Sequence, residues 1–491
     1  MHRALLIYDI VCHIFQCCTI CSDGGDLQTP DHKLLANLAR TCRSFHEPAL
    51  DTLWADLDSI HPLIRCLPPD VWIRHESKVF CKKYLSPLHQ ATLHKYASRV
   101  RVLRISDNLN TTFQTLVAFE EACASGPLCP QLRHLEWFEI DPEMLPNLHL
   151  FLSPTLLVLK LDLWTIEGSD LSILLSLGTQ CPLVRTAVFE GPLETEELSS
   201  AVSQAVCGWR HLQELQCGKL DRQAWAHLSE TGTLTSGAFR LPSPLAAYIT
   251  SPQASSECMT LFPEMSDIHI SSRTVRLALD FVELMHHTPR RFQLTAEFTR
   301  TSQAIHALFV ALSNRALDSP SHLKLYGSDL QDNSASAPTI SFETMHPLLG
   351  FRNLRVLQIE SFGTFSLDDE ALKAFAMAWP NLETLWLYHS IWPRPLGITF
   401  QGLSHLVKFC PNLKRLALAF DATNVYFVGG ELQDASNHTI KLLYALNSPL
   451  SDPGSVARLL KCLFPRLKRV FNSGAEAAWL WDDVNDRLPA L

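Results

Sequence analysis

A chain of 491 residues with 47% hydrophobic and 19% charged side chains is too long for one ordinary core and too apolar to remain unfolded, which implies several domains or one array of repeats. Its formal net charge of −9 gives no electrostatic basis for nucleic-acid binding, which needs a basic face. The stretch Arg466-Leu467-Lys468-Arg469 reads as a repeat edge rather than a phosphate site. At the start, His2 and Arg3 precede an apolar run from Ala4 to Cys18, but Asp9, His13 and Gln16 interrupt it and no small-residue cleavage site follows. A secretory signal is therefore not expected. No segment has the roughly 20 consecutive apolar residues of a membrane span. The expectation is a soluble protein of the cytoplasm or nucleus, with no membrane or nucleic-acid partner. Its 15 cysteines are then reduced, and the Asn-x-Thr sequons at Asn110 and Asn437 are chance matches.

The first predicted element is a helix in which Leu6, Ile10 and Ile14 form one row and Ile7, Val11 and Phe15 the next, a wide apolar stripe. A loop from Ser22 to Thr29 contains Gly24-Gly25. Thr29-Pro30 then supplies an N-cap and a first-turn proline for a second helix presenting Leu34, Leu35, Leu38, Ala39 and Cys42. Ser44-Phe45-His46-Glu47 reads as a capping box, with Pro48 ahead of a short third helix carrying Ala49, Leu50, Leu53 and Trp54. Leu67-Pro68-Pro69-Asp70 marks a break, and the stretch from Val79 to Tyr96 is predicted helical.

Beyond about residue 99 a short frame recurs. Cys129-Pro130-Gln131-Leu132-Arg133-His134-Leu135-Glu136-Trp137 is one copy; similar copies run over Phe351–Ile359, Trp379–Leu387 and Cys410–Leu418. The frame is Pro-x-Leu-x-x-Leu-x-Leu, and weaker versions begin near Val100, Leu156, Val184, Leu212, Met265 and Leu467. The closing Leu-x-Leu alternates, which places both leucines on one face of a short strand. The proline ends the preceding helix, because it lacks an N–H and restrains the residue before it. Between copies lie amphipathic helices. Ser366-Leu367-Asp368-Asp369 resembles a capping box ahead of Leu372, Phe375, Ala376 and Trp379, which share a face. Stacked strand–loop–helix units give a parallel sheet on one side and helices on the other, the leucine-rich-repeat plan. The register is not readable between about Leu234 and Leu325; Ser328–Pro338 reads as an exposed loop, and Asp421–Thr439 as an insertion that stretches the last step from Leu413 to Leu467.

The fold class expected is an α/β solenoid: a three-helix module over residues 1–58, a helical linker over 59–98 and an irregular leucine-rich-repeat array over 99–491. The order Ile10-x-x-x-Ile14-Phe15, Leu34-Leu35-x-x-Leu38-Ala39-x-x-Cys42-Arg43-x-Phe45 and Ala49-Leu50-x-x-Leu53-Trp54 resembles an F-box, in the F-box-like form found in mushroom-forming fungi ahead of irregular leucine-rich repeats. It departs from the family pattern in lacking the Leu-Pro opening, where Ala4-Leu5 stands, and in its long first loop. The resemblance implies docking on a Skp-type adaptor and, through it, a cullin–RING ubiquitin ligase. By position it implies Leu6, Ile10, Ile14, Phe15, Leu34, Leu38, Cys42 and Phe45 as adaptor contacts. Packing of the same residues on one another and on the first repeat is the competing reading.

No chemistry-bearing motif is present: no His-Glu-x-x-His, no Gly-x-Ser-x-Gly, no phosphate loop and no dinucleotide fingerprint. Cys18-x-x-Cys21, with Cys12, Cys17 and His13 nearby, has zinc-ligand spacing but lacks a second pair, so buried thiols are expected. No catalytic residue, metal or cofactor is assigned. The residue between the two strand leucines should face outward: Glu136, Gln216, His269, Gln358, Trp386 and Ala417. Trp386, Tyr388 and Trp392 are candidate anchors for an unknown protein target, since aromatic residues dominate binding hot spots. The functional expectation is a non-catalytic substrate receptor of a ubiquitin ligase, and the alternative is a repeat scaffold with no ligase role.

Overall fold

The computed structural model describes residue 5 and residues 7–21, 28–75, 78–81, 85–106, 113–123, 126–138, 142–164, 171–191, 195–245, 262–298, 301–316, 320–327, 337–390, 392–425, 436–474 and 477–490. Leu6, Gly24-Gly25, Asn110, most of the expected Ser328–Pro338 loop and residues 426–435 lie outside the described set. The chain forms two compact units, Met1–Thr233 and Leu234–Leu491.

The first unit opens with helix α1 (Tyr8–Gln16), the strands β1 (Thr19–Cys21) and β2 (Gln28–Pro30), and helices α2 (His32–Leu38) and α3 (Arg43–Ala55). β1 and β2 pair antiparallel, with Ile20 opposite Thr29. Thr29-Pro30 is therefore strand, not the start of a helix. Asp31 caps α2 instead, its carboxylate accepting the Leu34 N–H at 2.9 Å. The Ser44–Glu47 capping box is not formed either: α3 runs unbroken from Arg43, with Pro48 inside it and Cys42 as N-cap, so Cys42 lies outside α2. Strand β3 (Asp56–Leu57) follows α3 without a linker and is the first strand of a parallel sheet. Next come helix α4 (His61–Arg65), the antiparallel pair β4 (Trp72–His75) and β5 (Lys78–Cys81), and helix α5 (Pro87–Ala97). The expected Val79–Tyr96 helix is thus a strand end followed by a helix that starts where Ser86 caps and Pro87 fixes the first turn. The sheet order is β3, β6 (Val102–Ser106), β7 (His134–Phe138), β8 (Val158–Asp162), β9 (Thr186–Glu190), β10 (Glu214–Gln216).

The second unit holds a parallel sheet ordered β11 (Ser236–Arg240), β12 (Asp267–Thr274), β13 (Arg291–Phe298), β14 (His322–Gly327), β16 (Val356–Glu360), β18 (Thr384–Tyr388), β19 (Arg415–Ala417), β20 (Leu442–Leu446), β21 (Arg469–Asn472). β15 (Thr339–Ser341) and β17 (Thr364–Ser366) make a separate parallel pair. Neighbours in each sheet are neighbours in sequence, joined by helices or irregular segments, and helices of adjacent repeats pack on one another. This is the arrangement of a solenoid of repeats, each of which buries its apolar face only against its neighbours.

The repeat frame has a physical basis at every bond. Cys181, Trp379, Cys410 and Phe464 end their helices with φ from −117° to −130° and ψ from 63° to 77°, outside the α region that a following proline disfavours. The carbonyl of this residue then accepts the N–H of the anchor leucine three positions on: Leu382 on Trp379 at 3.1 Å, Leu413 on Cys410 at 3.2 Å, Leu467 on Phe464 at 2.9 Å. That is a β-turn with proline at its favoured second position. The strand starts two residues after the anchor. At the residue just before that start and at the first strand residue, the chain is tied to the preceding repeat. The Arg355 carbonyl accepts the N–H groups of Glu383 (2.7 Å) and Thr384 (2.9 Å), and the Glu383 carbonyl those of Lys414 (2.8 Å) and Arg415 (3.1 Å).

The unread region keeps the same spacing with other anchors. Leu234 precedes β11, but buried Pro289 and Pro320 stand where leucine would precede β13 and β14. Ile440, fully buried midway between Leu413 and Leu467, anchors β20. The long last step is therefore a further repeat and not only an insertion. Asn437, one of the two sequons, is buried beside it: its Nδ2 donates to the Leu413 carbonyl at 2.9 Å and its Oδ1 accepts the Thr439 N–H at 2.8 Å.

One capping site departs from expectation with a consequence for stability. Ser366 belongs to β17, and Asp368 caps the helix Asp369–Ala378, accepting the Ala371 N–H at 2.8 Å. Asp369 reaches into the next repeat instead. Its carboxylate accepts the Thr399 N–H at 2.7 Å, the Thr399 hydroxyl at 2.6 Å and the Gly402 N–H at 2.9 Å. It thereby satisfies the first turn of the helix Phe400–Phe409. Asp369→Ala is expected to lower unfolding free energy by roughly 1–3 kcal/mol, because it strands two backbone donors. A urea midpoint unchanged from wild type would show that the clamp contributes nothing.

Candidate functional site

The N-terminal stripe separates into two faces. α3 packs across α1 and α2, and the core it closes consists of Val11, Phe15, Leu35, Ala39 and Ala49, with Leu38, Phe45, Leu50 and Leu53 half-buried against it. Phe15 and Phe45 meet edge to face with ring centroids 5.3 Å apart. Of the expected adaptor contacts, Phe15 is thus core, Leu38 and Phe45 flank it, and Cys42 is half-buried at the α3 cap. Ile10, Ile14 and Leu34 face outward, 39%, 44% and 41% exposed, joined on α1 and just ahead of it by exposed Tyr8 and Ile7. Leu6 lies outside the described residues. Ile10 and Ile14 lie one turn apart on α1 and form an outward apolar row, and Leu34 is a further outward aliphatic residue on α2, the kind of feature that marks a contact site.

Side-chain pairs fix the module to α5 and the start of β6. The Arg99 guanidinium pairs with Glu47 at 2.5 Å and with Asp51, which also accepts the Tyr8 hydroxyl. Burial disfavours the Arg99 charge, yet the Glu47 hydrogen bond and the Asp51 charge hold its pKa above the ordinary value. Trp54 of α3 packs on Tyr96 of α5 with centroids 4.6 Å apart. The Ala55 carbonyl accepts the Arg101 N–H at 2.9 Å, just before β6.

On the outward sheet face of the first unit, charge runs across the strands. Arg104 pairs with Asp56 and, at 3.0 Å, with Asp58. Lys160 and His134 each reach Glu136 at 2.9 Å. Burial opposes the Glu136 charge, but the hydrogen bonds from Lys160 and His134 keep its pKa below the usual carboxylate range.

The outward face of the second unit has a different character. Register aligns His269, Gln293, Lys324, Gln358, Trp386, Ala417, Tyr444 and Phe471 in one row. Trp386 is half-buried there, and Tyr388 lies two residues along the same strand face. Ala417, expected to be outward and open, is fully buried. It is small, so the rings of Trp386 and Tyr444 meet over it at 4.6 Å; Tyr444 stacks on Phe471 at 4.8 Å, and the Arg469 guanidinium sits 5.1 Å from the Phe471 centroid. Tyr444 and Phe471 are the members of this column that sequence reasoning missed, because their repeats have isoleucine and a degenerate frame. Trp392 is not on this face. It is 3% exposed and stacks on Phe365 at 4.9 Å.

A cleft of about 750 Å³ runs along the loops ahead of β12, β13, β14, β16 and β18, lined among others by Glu264, His286, Arg290, Asn353 and Arg355. Arg355 is drawn toward Glu383 at 3.4 Å. Among the described residues, no group of histidine, cysteine and carboxylate side chains has metal-binding geometry, and no helix is long and apolar enough to cross a membrane. The turn cysteines are inert by environment. Cys129, Cys181 and Cys410 are fully buried, and desolvation pushes the thiols of Cys181 and Cys410 up to about 12.

No family model matches the sequence, and no curated protein matches it. Among solved structures, a chain in the crystal structure of the Rad7 and Elc1 complex in yeast is similar at a TM-score of 0.39 and 14% identity, over 78% of this chain and 82% of that chain.

Proposed function

We propose that this protein is a non-catalytic substrate-recognition subunit of a cullin–RING ubiquitin ligase of the SCF type. The F-box-like helices recruit a Skp-type adaptor, and through it a cullin, while the repeat sheet holds a protein target in the cytoplasm or nucleus. The observation that carries the adaptor half is the division of the N-terminal stripe: Val11 and Phe15 are core, while Ile10, Ile14 and Leu34 remain outward. A module needing only its own stability would not keep this second row apolar. The Arg99 pairs and the Trp54–Tyr96 contact support the receptor half, since a fixed spacing between adaptor and target is how such a subunit raises effective concentration.

Co-expression of the full chain with a Skp-type adaptor tests the proposal. A stable complex on size exclusion is expected. Separate elution of the two proteins would favour the second reading, a repeat scaffold whose helices cap the first repeat, for which the direct run of α3 into β3 is the supporting observation.

A further inference from the structure

The last three strands of the second unit carry cations at matching positions. Lys414-Arg415, Lys441 and Lys468-Arg469 stand just ahead of Leu416, Leu443 and Val470, which register places side by side, and Lys468 donates its N–H to the Lys441 carbonyl at 2.8 Å. Neighbouring strands are about 4.8 Å apart, so these side chains form one ridge. A recess of about 460 Å³ beside it is lined by Lys441, Lys461, Arg466, Leu467, Lys468 and Pro489, with no carboxylate among the described lining residues. Glu383 serves Lys414 at 2.7 Å and Arg355 at 3.4 Å. Among the described residues, no carboxylate pairs with Lys441, Arg466 or Lys468. A chain of net charge −9 gains nothing in solubility from a concentrated basic ridge of which Glu383 meets only the Lys414 end, and like charges held together are mutually unfavourable.

The ridge borders the aromatic column on the same strands. Arg415, Leu442 and Arg469 share one outward row, and Ala417, Tyr444 and Phe471 the next. Leu442 is itself exposed. Arg415 and Arg469 stand two residues before the aromatic row, the spacing of alternate side chains in an extended acidic, apolar-punctuated chain, and Lys441 and Lys468 stand one residue further back.

We infer that this surface binds an extended acidic peptide segment of a partner protein, its carboxylates on Arg469, Lys441 and Lys468 and an apolar side chain on the Trp386–Tyr444–Phe471 column. The inference deepens the proposal that the repeat array holds the target, and rests on that half of it alone. Fluorescence anisotropy with the full chain and a labelled peptide of alternating glutamate and leucine tests it. Binding is expected to weaken as salt rises. The double variant Lys441→Glu, Lys468→Glu is expected to lose roughly tenfold or more in affinity, whereas Lys373→Glu, the same type of substitution at one position on a helix, leaves it unaltered. Oligoglutamate without leucine binds less tightly, and Tyr444→Ala removes that advantage. Ile14→Asp binds the peptide as wild type does, so loss of the adaptor and loss of peptide binding are separable. Equal affinity in the Lys441→Glu, Lys468→Glu variant overturns the inference, as does an oligonucleotide of matched charge that displaces the peptide.

Discussion

A chain carrying Ile14→Asp and Leu34→Asp is expected to lose a Skp-type adaptor while melting within a degree or two of wild type. Both side chains are outward on their helices, so a carboxylate at either position stays hydrated in the free protein. In a complex the same carboxylate would be stripped of water beside apolar groups. Truncating a central apolar anchor costs about 2–4 kcal/mol of binding, and burying an unpaired charge costs more, so the pair is expected to lower affinity by at least about a thousandfold. Phe15→Asp provides the contrast. Phe15 is 4% exposed and packs on Phe45, so this change is expected to unfold the module itself. Titration calorimetry alongside thermal melting separates the two. If the double variant binds the adaptor as tightly as wild type, the outward row is not the docking face.

Trp379→Ala is expected to destabilise the second unit by about 3–5 kcal/mol, the range for removing a large aromatic from a packed core. Trp379 is fully buried, stacks on Phe375 with centroids 4.8 Å apart and planes 8° from parallel, and donates its indole N–H to the Leu348 carbonyl at 3.0 Å. It also caps the helix Asp369–Ala378 and opens the turn into β18, while its carbonyl lies 3.5 Å from the Cys410 sulfur of the next repeat. One residue thus joins three successive repeats. Trp379→Phe keeps most of the packing and leaves the Leu348 carbonyl with the Phe351 N–H at 3.0 Å as its remaining donor, at an expected cost of roughly 0.5–1.5 kcal/mol. Urea unfolding checks both variants. Equal midpoints for Trp379→Ala and wild type would mean that neighbouring repeats are not coupled through this position.

The repeat plan was legible because its signal is local. Four close copies of the Pro-x-Leu-x-x-Leu-x-Leu frame, two of them complete (Pro380–Leu387 and Pro411–Leu418), encode a turn, an anchor and a two-residue alternation within nine residues, and each of these depends on backbone geometry at that point. The register failed where the chain met the same geometric demand with other residues. Pro289, Pro320 and Ile440 fill the leucine site, because a buried anchor need only be apolar and of fitting shape. The N-terminal caps were misread for a related reason. Thr29-Pro30 has helix-start chemistry, but pairing with β1 is a longer-range gain that overrides it.

The amino-acid sequence by itself determined the parallel strand–helix array, the turn that builds each repeat, and the existence of an apolar N-terminal stripe. Only the tertiary structure decided which row of that stripe is core. α3 covers Val11 and Phe15 and leaves Ile10 and Ile14 outward, and a helix with a wide apolar face contains no information on which side its neighbour will take. It likewise decided that Trp392 is buried and that Trp386 joins Tyr444 and Phe471 across Ala417. Residues 58 and 27 positions apart become one column only when register is fixed, and register is set by contacts between repeats.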